Sequence, residues 1–348
     1  MKDNFEPFEA LATAACKAGP VRVAVADAAQ TVVLETLRDA ERAGLVTPLL
    51  VGDPNAIRTI AADLGWTVAE DAIIAVADDA EAAARVVALV HEGRADVVMK
   101  GNLHTDIFMR ALLDKTLGLR LPGRRVSHVF VVALPSHDRL LGITDAAINI
   151  APELTAKAQI CQNAVDLFRM LGVVRPKVAV LSAVETVTVD IASTLDAASL
   201  TLMSRRGQIT GAEVDGPLAL DNAISARAAT EKGVLSDVAG SADILLVPDL
   251  VSGNILAKTL EYFAGGVAAG IAIGLAAPVV LTSRADPALA IAALMYHRRP
   301  QVEPRPGPAE NSIATAPQLE DACCPLPVVS NLQPVSVGTQ PQFEVAAQ

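Results

Sequence analysis

Short apolar runs rich in valine and isoleucine alternate along the chain with longer stretches whose apolar residues recur at helical spacing. "VRVAVAD" (21–27) reads as a buried strand and "AQTVVLETLRDAERAG" (29–44) as a helix closed by Gly44. "VTPLLVGD" is the next strand, and "DPNAIRTIAADLGW" is a helix opened by Asp-Pro. Aspartate caps the free amides of a first turn there, and proline has no N–H to leave unpaired. "AIIAVAD", the alanine-rich helix "DAEAAARVVALVHEG" and "ADVVMKGNLHT" continue the rhythm. After the strand "HVFVVALP", the stretch "LLGITDAAINIAPELTAKAQICQNAVDLFRMLG" reads as a long helix crossing into a second lobe. The pattern then repeats as "KVAVLSAVE", a helix around Ser193–Arg206, "ADILLVPD", a helix from about Ile255, and "PVVLTSRAD". Such alternation predicts an α/β protein built on doubly wound sheets. Residues 300–348 hold nine of the 21 prolines and show no periodicity, so they read as a disordered tail.

Composition sharpens this picture. The 348 residues are 52% hydrophobic but only 3% aromatic, so the core is filled by Ala, Val, Leu and Ile, the usual filling of sheets covered on both faces. A net charge of -11 argues against nucleic-acid binding, which needs a basic surface. No apolar run is long enough to span a membrane and the first residues do not form a signal peptide, so a soluble, cytoplasmic protein without a membrane partner is expected. Cys16, Cys161, Cys323 and Cys324 have no CxxC spacing and no histidine company, which suggests neither a zinc site nor a disulfide framework.

Three polar clusters fall at predicted strand ends, where ligands bind in open α/β sheets. In "MKGNLHTDIFMRALL", Lys100, Gly101, Asn102, His104 and Thr105 follow an apolar strand, and Arg110 lies just over one helical turn beyond Thr105. A lysine, a glycine-opened loop, a hydroxyl, helix amides and an arginine suit an anion. The spacing is not that of a Walker P-loop. In "LVPDLVSGNILAKTLEYFAGG", Gly253 and Asn254 are expected on the loop after "ADILLV", with Lys258 one turn into the helix. In "VVLTSRADP", Ser283, Arg284 and Asp286 end an apolar run; Asp286-Pro287 can cap the next helix. Ser283 has no G-x-S-x-G elbow, so a hydrolase triad is not indicated.

Together these segments, with "RRVSHVFVV", "ITDAAINIAPEL" and "GQITGAEVDGPLALDNAIS", resemble the phosphate acetyltransferase/phosphate butyryltransferase family over roughly residues 10–297. The wording is closest to the butyryltransferase-like branch and to the acetyltransferase half of bifunctional enoyl-CoA hydratase/phosphate acetyltransferases, without their leading hydratase domain. The resemblance implies reversible transfer of an acetyl or butyryl group between CoA and inorganic phosphate. It also implies a two-domain fold like that of isocitrate and isopropylmalate dehydrogenases, with the site in the interdomain cleft, and a homodimer. The expected domains are residues 1–146 with 276–299, and 147–275. No metal or prosthetic group is implied, CoA being a substrate. Arg110 fits the arginine that holds the phosphoryl group, and Ser283-Arg284 the pair beside the reacting groups. Lys100, Gly101, His104, Thr105, Gly253, Asn254 and Lys258 are the accompanying substrate-binding candidates. Where the acetyl branch has a carboxylate two turns past Ser-Arg, this chain has Leu289-Ala290-Ile291-Ala292, and Asp286 is the nearby carboxylate. Glu261 stands where that branch has an arginine, which favours the butyryl-like branch. The alternatives are a non-catalytic two-lobed CoA- or anion-binding protein and a dehydrogenase; the latter should bring paired aspartate metal ligands and a dinucleotide loop, and neither is present in the sequence.

Overall fold

The computed structural model describes residues 19–281 together with Phe8, Ala10, Leu11 and Thr13. The expected tail and the segment holding Ser283, Arg284 and Asp286 lie outside the described residues.

The amino-terminal half follows the predicted alternation: β1 (Val21–Ala26), α1 (Thr31–Arg42), β2 (Val46–Gly52), α2 (Pro54–Asp63), β3 (Ile73–Ala75), α3 (Asp79–His91), β4 (Val97–Lys100) and α4 (Thr105–Leu112). Two of its helices start on an aspartate cap. Asp53 accepts the Asn55 amide with Pro54 in the first turn, and Asp78 accepts the Glu81 amide. The second half comprises β5 (Ser127–Leu134), β6 (His137–Thr144), α5 (Leu154–Met170), β7 (Lys177–Leu181), α6 (Ala192–Arg205), β8 (Glu213–Leu218), α7 (Leu220–Ile224), α8 (Ala226–Glu231), β9 (Ile244–Leu246), α9 (Leu250–Tyr262), β10 (Val267–Ile273) and β11 (Val279–Val280).

The eleven strands of the described residues form one sheet, ordered β3-β2-β1-β4-β11-β10-β5-β6-β9-β7-β8. It is a mixed sheet. β10 runs antiparallel to β11 and β5, and β5 to β6, while the flanking groups are parallel. The cause is local. Pro135 and Ser136 form a two-residue turn, which joins only antiparallel strands, so "LLGIT" returns as β6 instead of starting the long helix. That helix, α5, begins only at Leu154.

Side chains alternate across the sheet. Val23, Val25, Met99, Val129, Val131 and Ile271 face α1, α2 and α5, whose Leu34, Ile57, Ile160 and Phe168 complete one core. Gly142 makes the fit of α5 possible, since a Cβ there would stand 2.6 Å from the Phe168 ring. The other face carries two separate cores. Ala24, Val98, Ala272 and Val279 lie under Val86, Phe108 and Leu112 of α3 and α4; Phe130, Val132, Ile143 and Leu245 lie with Ala223 and Ala257 of α7 and α9. Between these helix layers run β5 and β10, with His128 and Gly270 on that face.

Candidate active site

The first cluster is built by two strand ends pressed together. The Gly101 amide donates to the Ala26 carbonyl (2.9 Å) and the Asn102 amide to that of Asp27 (2.7 Å). A Cβ on Gly101 would lie 2.0 Å from the Asp27 carbonyl oxygen, so only glycine fits. Asp27 itself adopts a left-handed backbone conformation (φ 48°), which turns the chain at the end of β1. This brings Asp27 beside Lys100. Burial raises the Asp27 carboxyl pKa and nearby Asp79 adds to it, against hydrogen bonds from the Ala29 amide and the Asn102 side chain. Burial lowers the Lys100 ammonium, and the Asp27 charge opposes that shift. Lys100 Nζ donates to the Gly101 carbonyl at 3.2 Å. His104 and Thr105 stand exposed at the start of α4, His104 as its N-cap residue without a side-chain cap bond. Arg110 is 81% exposed and meets Asp106 only at 3.8 Å. Lys100, Gly101 and the start of α4 are thus brought together, with Arg110 in water further along the helix. Asp27 was not foreseen as part of this cluster.

The second cluster differs from its sequence reading. Asp249 accepts the Ser252 amide (2.9 Å) and starts α9 at Leu250, so Gly253 and Asn254 lie inside the helix rather than on a loop. An aspartate cap outweighs a single glycine in the first turn. Gly253 serves close packing: a Cβ would come within 2.7 Å of Val247 Cγ2 and 3.0 Å of the Asp145 carbonyl. The Asn254 amide donates to the Ala146 carbonyl at 3.3 Å. Lys258 pairs with Glu261 (2.7 Å) and lies 6.0 Å from the Phe130 ring centroid and 5.7 Å from that of Tyr262. Its charge is therefore held by a carboxylate and two aromatic faces above the central strands.

Between the clusters sits a residue the sequence reading passed over. His128 is 1% exposed, stacks edge-on against Phe130 (centroids 4.4 Å apart) and has no hydrogen-bond partner at Nδ1 among the described residues. Gly270 makes room for it: a Cβ there would stand 2.7 Å from His128 Nε2 and 3.2 Å from the Leu281 carbonyl. Leu281 is the last described residue before Thr282 and Ser283. Asp145 anchors this region, accepting from the His128, Ala147 and Ile148 amides and from Asn149 Nδ2 (2.6 Å). The only hint in the sequence was Ser127-His128 opening an otherwise apolar strand. Burial drives the His128 pKa down to about 4 against the opposing charge of Asp145, so the imidazole is neutral at pH 7.

The sign of the linkage follows. Between about pH 6.5 and about 4 the unfolded imidazole takes up a proton and the folded one does not, so stability falls as pH drops through that window. The limiting slope is about 1.4 kcal/mol per pH unit, and above the window the contribution is constant. Urea unfolding across pH is expected to show a steeper acid loss for the wild type than for His128→Gln. Equal slopes would contradict this assignment.

Among the described residues no group of three or more His, Cys, Asp or Glu side chains is placed to hold a metal ion. No helix among them is long and apolar enough to cross a membrane. Cys161 is buried, and its thiol is pushed up to about 12, which keeps it protonated.

A family model described as phosphate acetyl/butaryl transferase matches residues 69–295, a span that contains all three clusters. A phosphate acetyltransferase of Rhizobium meliloti is 47% identical over 298 residues, 84% of this chain and 94% of the relative. A phosphate butyryltransferase of Clostridium acetobutylicum is 48% identical over 265 residues, 76% of this chain and 88% of the relative. The crystal structure of a branched-chain phosphotransacylase from Enterococcus faecalis superposes with a TM-score of 0.68 at 30% identity, covering 80% of this chain and 100% of that one. The chain therefore belongs to the phosphate acetyl/butyryltransferase family, and it is an enzyme of the transferase class.

Proposed function

We propose that this chain transfers an acetyl or butyryl group reversibly between CoA and inorganic phosphate, the two substrates reacting directly in one ternary complex. The observation that carries the reading is the near-equal identity, 47% and 48%, to relatives named for the acetyl and the butyryl reaction, each over most of the chain. A phosphate oxygen attacks the thioester carbon, the carbonyl oxygen takes negative charge, and the C–S bond breaks to release thiolate and acyl phosphate. Ser283 and Arg284 are assigned to stabilising that oxyanion, the type of interaction that contributes most in many acyl transfers. Arg110 is assigned to the phosphoryl group, with Lys100, Gly101, His104 and Thr105 around it. Lys258, with Gly253 and Asn254 at the start of α9, is assigned to the CoA side. Holding both substrates in line removes the need for an enzyme nucleophile. In reverse the CoA thiol must lose its proton before attack, and Asp286 is the carboxylate assigned near that step.

The finer architecture belongs to the same proposal. Two lobes of the isocitrate dehydrogenase type, residues 1–146 with 276–299 and residues 147–275, would enclose the substrates over the central strands. The separation of the two helix layers on that face supports it. A cytoplasmic homodimer that needs no metal or prosthetic group completes the reading. The binding-protein alternative finds no support among relatives named as transferases.

Arg110→Ala tests the phosphate assignment. The side chain is 81% exposed with one distant partner, so its loss should leave the thermal midpoint unchanged. The KM for phosphate is expected to rise about tenfold or more, in keeping with a charge-assisted contact. An unchanged phosphate KM would remove Arg110 from the site.

A further inference from the structure

A second cationic site lies away from the Lys100 cluster. An open cavity of about 610 Å³ between the α4–β5 connection and the turn after β6 is lined by Lys115, Arg120, Arg124 and Arg125, with Asn149 and Gln159. Four cations sharing one concavity stand out in a chain of net charge -11. Arg124 pairs with Asp166 at 3.2 Å, and Arg125 donates to Asn149 Oδ1 at 3.1 Å. Lys115 and Arg120 have no carboxylate partner among the described residues, and both are exposed. The nearby Asp114 is committed to the Thr116 and Leu117 amides, and Asp145 to four donors.

The backbone beneath these side chains is fixed. Arg120 bridges Leu275, and the Ala276 amide donates to the Leu119 carbonyl at 2.8 Å. The Arg125 carbonyl accepts from Asn163 Nδ2 at 2.8 Å and is packed so closely on Gly274 that a Cβ there would approach it to 2.2 Å. Sheet register separates this cavity from the Lys100 cluster. His128 shares a row with Ala272, Val279 and Val98, and Arg125 precedes it by three residues, whereas Lys100 ends β4 in the opposite sense.

We propose that this cavity binds a multiply phosphorylated anion at a site distinct from the Lys100 cluster. Guanidinium forks and an ammonium on a tethered frame match phosphate oxygens, and the volume suits a nucleotide-sized ligand. The phosphates can come from two sources: the diphosphate and 3′-phosphate of CoA, or a separate nucleotide.

Calorimetric titration of the full chain with ADP, CoA and dephospho-CoA tests this, comparing wild type with Lys115→Glu/Arg120→Glu and, as a control, Arg227→Glu on α8. Both target side chains are exposed; Arg120→Gln, milder still, is the second variant. At least one ligand is expected to bind the double variant about tenfold or more weakly, with the control unchanged. A loss for CoA that spares dephospho-CoA identifies the 3′-phosphate as occupant. A loss for ADP alone identifies a separate nucleotide, and a loss common to all three identifies the diphosphate. If every ligand binds the variants as it binds the wild type, or none binds the wild type, the proposal falls. Phosphate-dependent CoA release, followed on the same proteins, reports separately on the acyl-transfer reading.

Discussion

Replacing Arg284 by alanine is expected to lower the rate of acyl transfer by about 10²–10³-fold, and Ser283→Ala by a similar order. The reaction concentrates negative charge first on the carbonyl oxygen and then on the departing sulfur. In the proposed role, a guanidinium and a hydroxyl that meet that charge would lower the barrier more than they strengthen substrate binding, so the loss should fall on kcat more than on KM. The approach to these residues is well anchored. β11 pairs with both β4 and β10, and the Leu281 amide donates to the Gly270 carbonyl at 3.2 Å, two residues before Ser283. Arg284→Lys should recover only part of the loss, because an ammonium restores the charge without the planar two-point contact. Rates within two- to threefold of the wild type in either alanine variant, measured by CoA release, would remove the pair from the reaction.

Gly101→Ala is expected to destabilise the fold by about 3 kcal/mol or more, and to impair activity in whatever protein remains folded. The added methyl would meet the Asp27 carbonyl oxygen at 2.0 Å, the Ala26 carbonyl oxygen at 2.5 Å and the Asp27 carbonyl carbon at 2.8 Å. These are backbone atoms of β1 and its end, which cannot swing aside as a flexible side chain would. Relief requires parting the strand ends, which breaks the Gly101–Ala26 and Asn102–Asp27 hydrogen bonds and displaces Lys100 from Asp27. Urea unfolding checks the stability, and a midpoint equal to the wild type's would contradict the packing described. Gly123→Ala is the informative control: its φ of 70° carries the strain of a left-handed alanine, but no atom stands within 4 Å of the added methyl.

Much of this architecture was written in local signals. Asp53-Pro54 announces a helix start that the fold uses as expected, and the short apolar runs become β1, β2, β4 and β9. What was not legible depends on pairing at long range. "LLGIT" has the same apolar character whether it begins a helix or returns as β6; the Pro135-Ser136 turn and the pairing with β5 and β9 decide. Gly253-Asn254 looks like a loop until Asp249 is seen capping the turn that contains it. His128 and Asp145 are 17 residues apart and meet only because β5 and β6 form a hairpin. Asp27 joins Lys100 through the register of β1 and β4, which pairs Ala26 with Lys100. The cationic cavity likewise depends on long-range pairing, since Arg120, Arg124 and Arg125 come from one connection and Asn149 from another. Arg110 was legible as a cation on the helix after a glycine-opened loop, and it lies on that helix.

The most direct test of the acyl-transfer account is the release of CoA, followed with a thiol reagent, from acetyl-CoA and from butyryl-CoA, each with and without phosphate. The account predicts release that depends on phosphate, with the ratio of the two rates naming the preferred acyl group; one methylene in an apolar pocket is worth only about 1–3 kcal/mol, so both substrates should be turned over. Absence of phosphate-dependent release from either substrate, while CoA still binds, would contradict it.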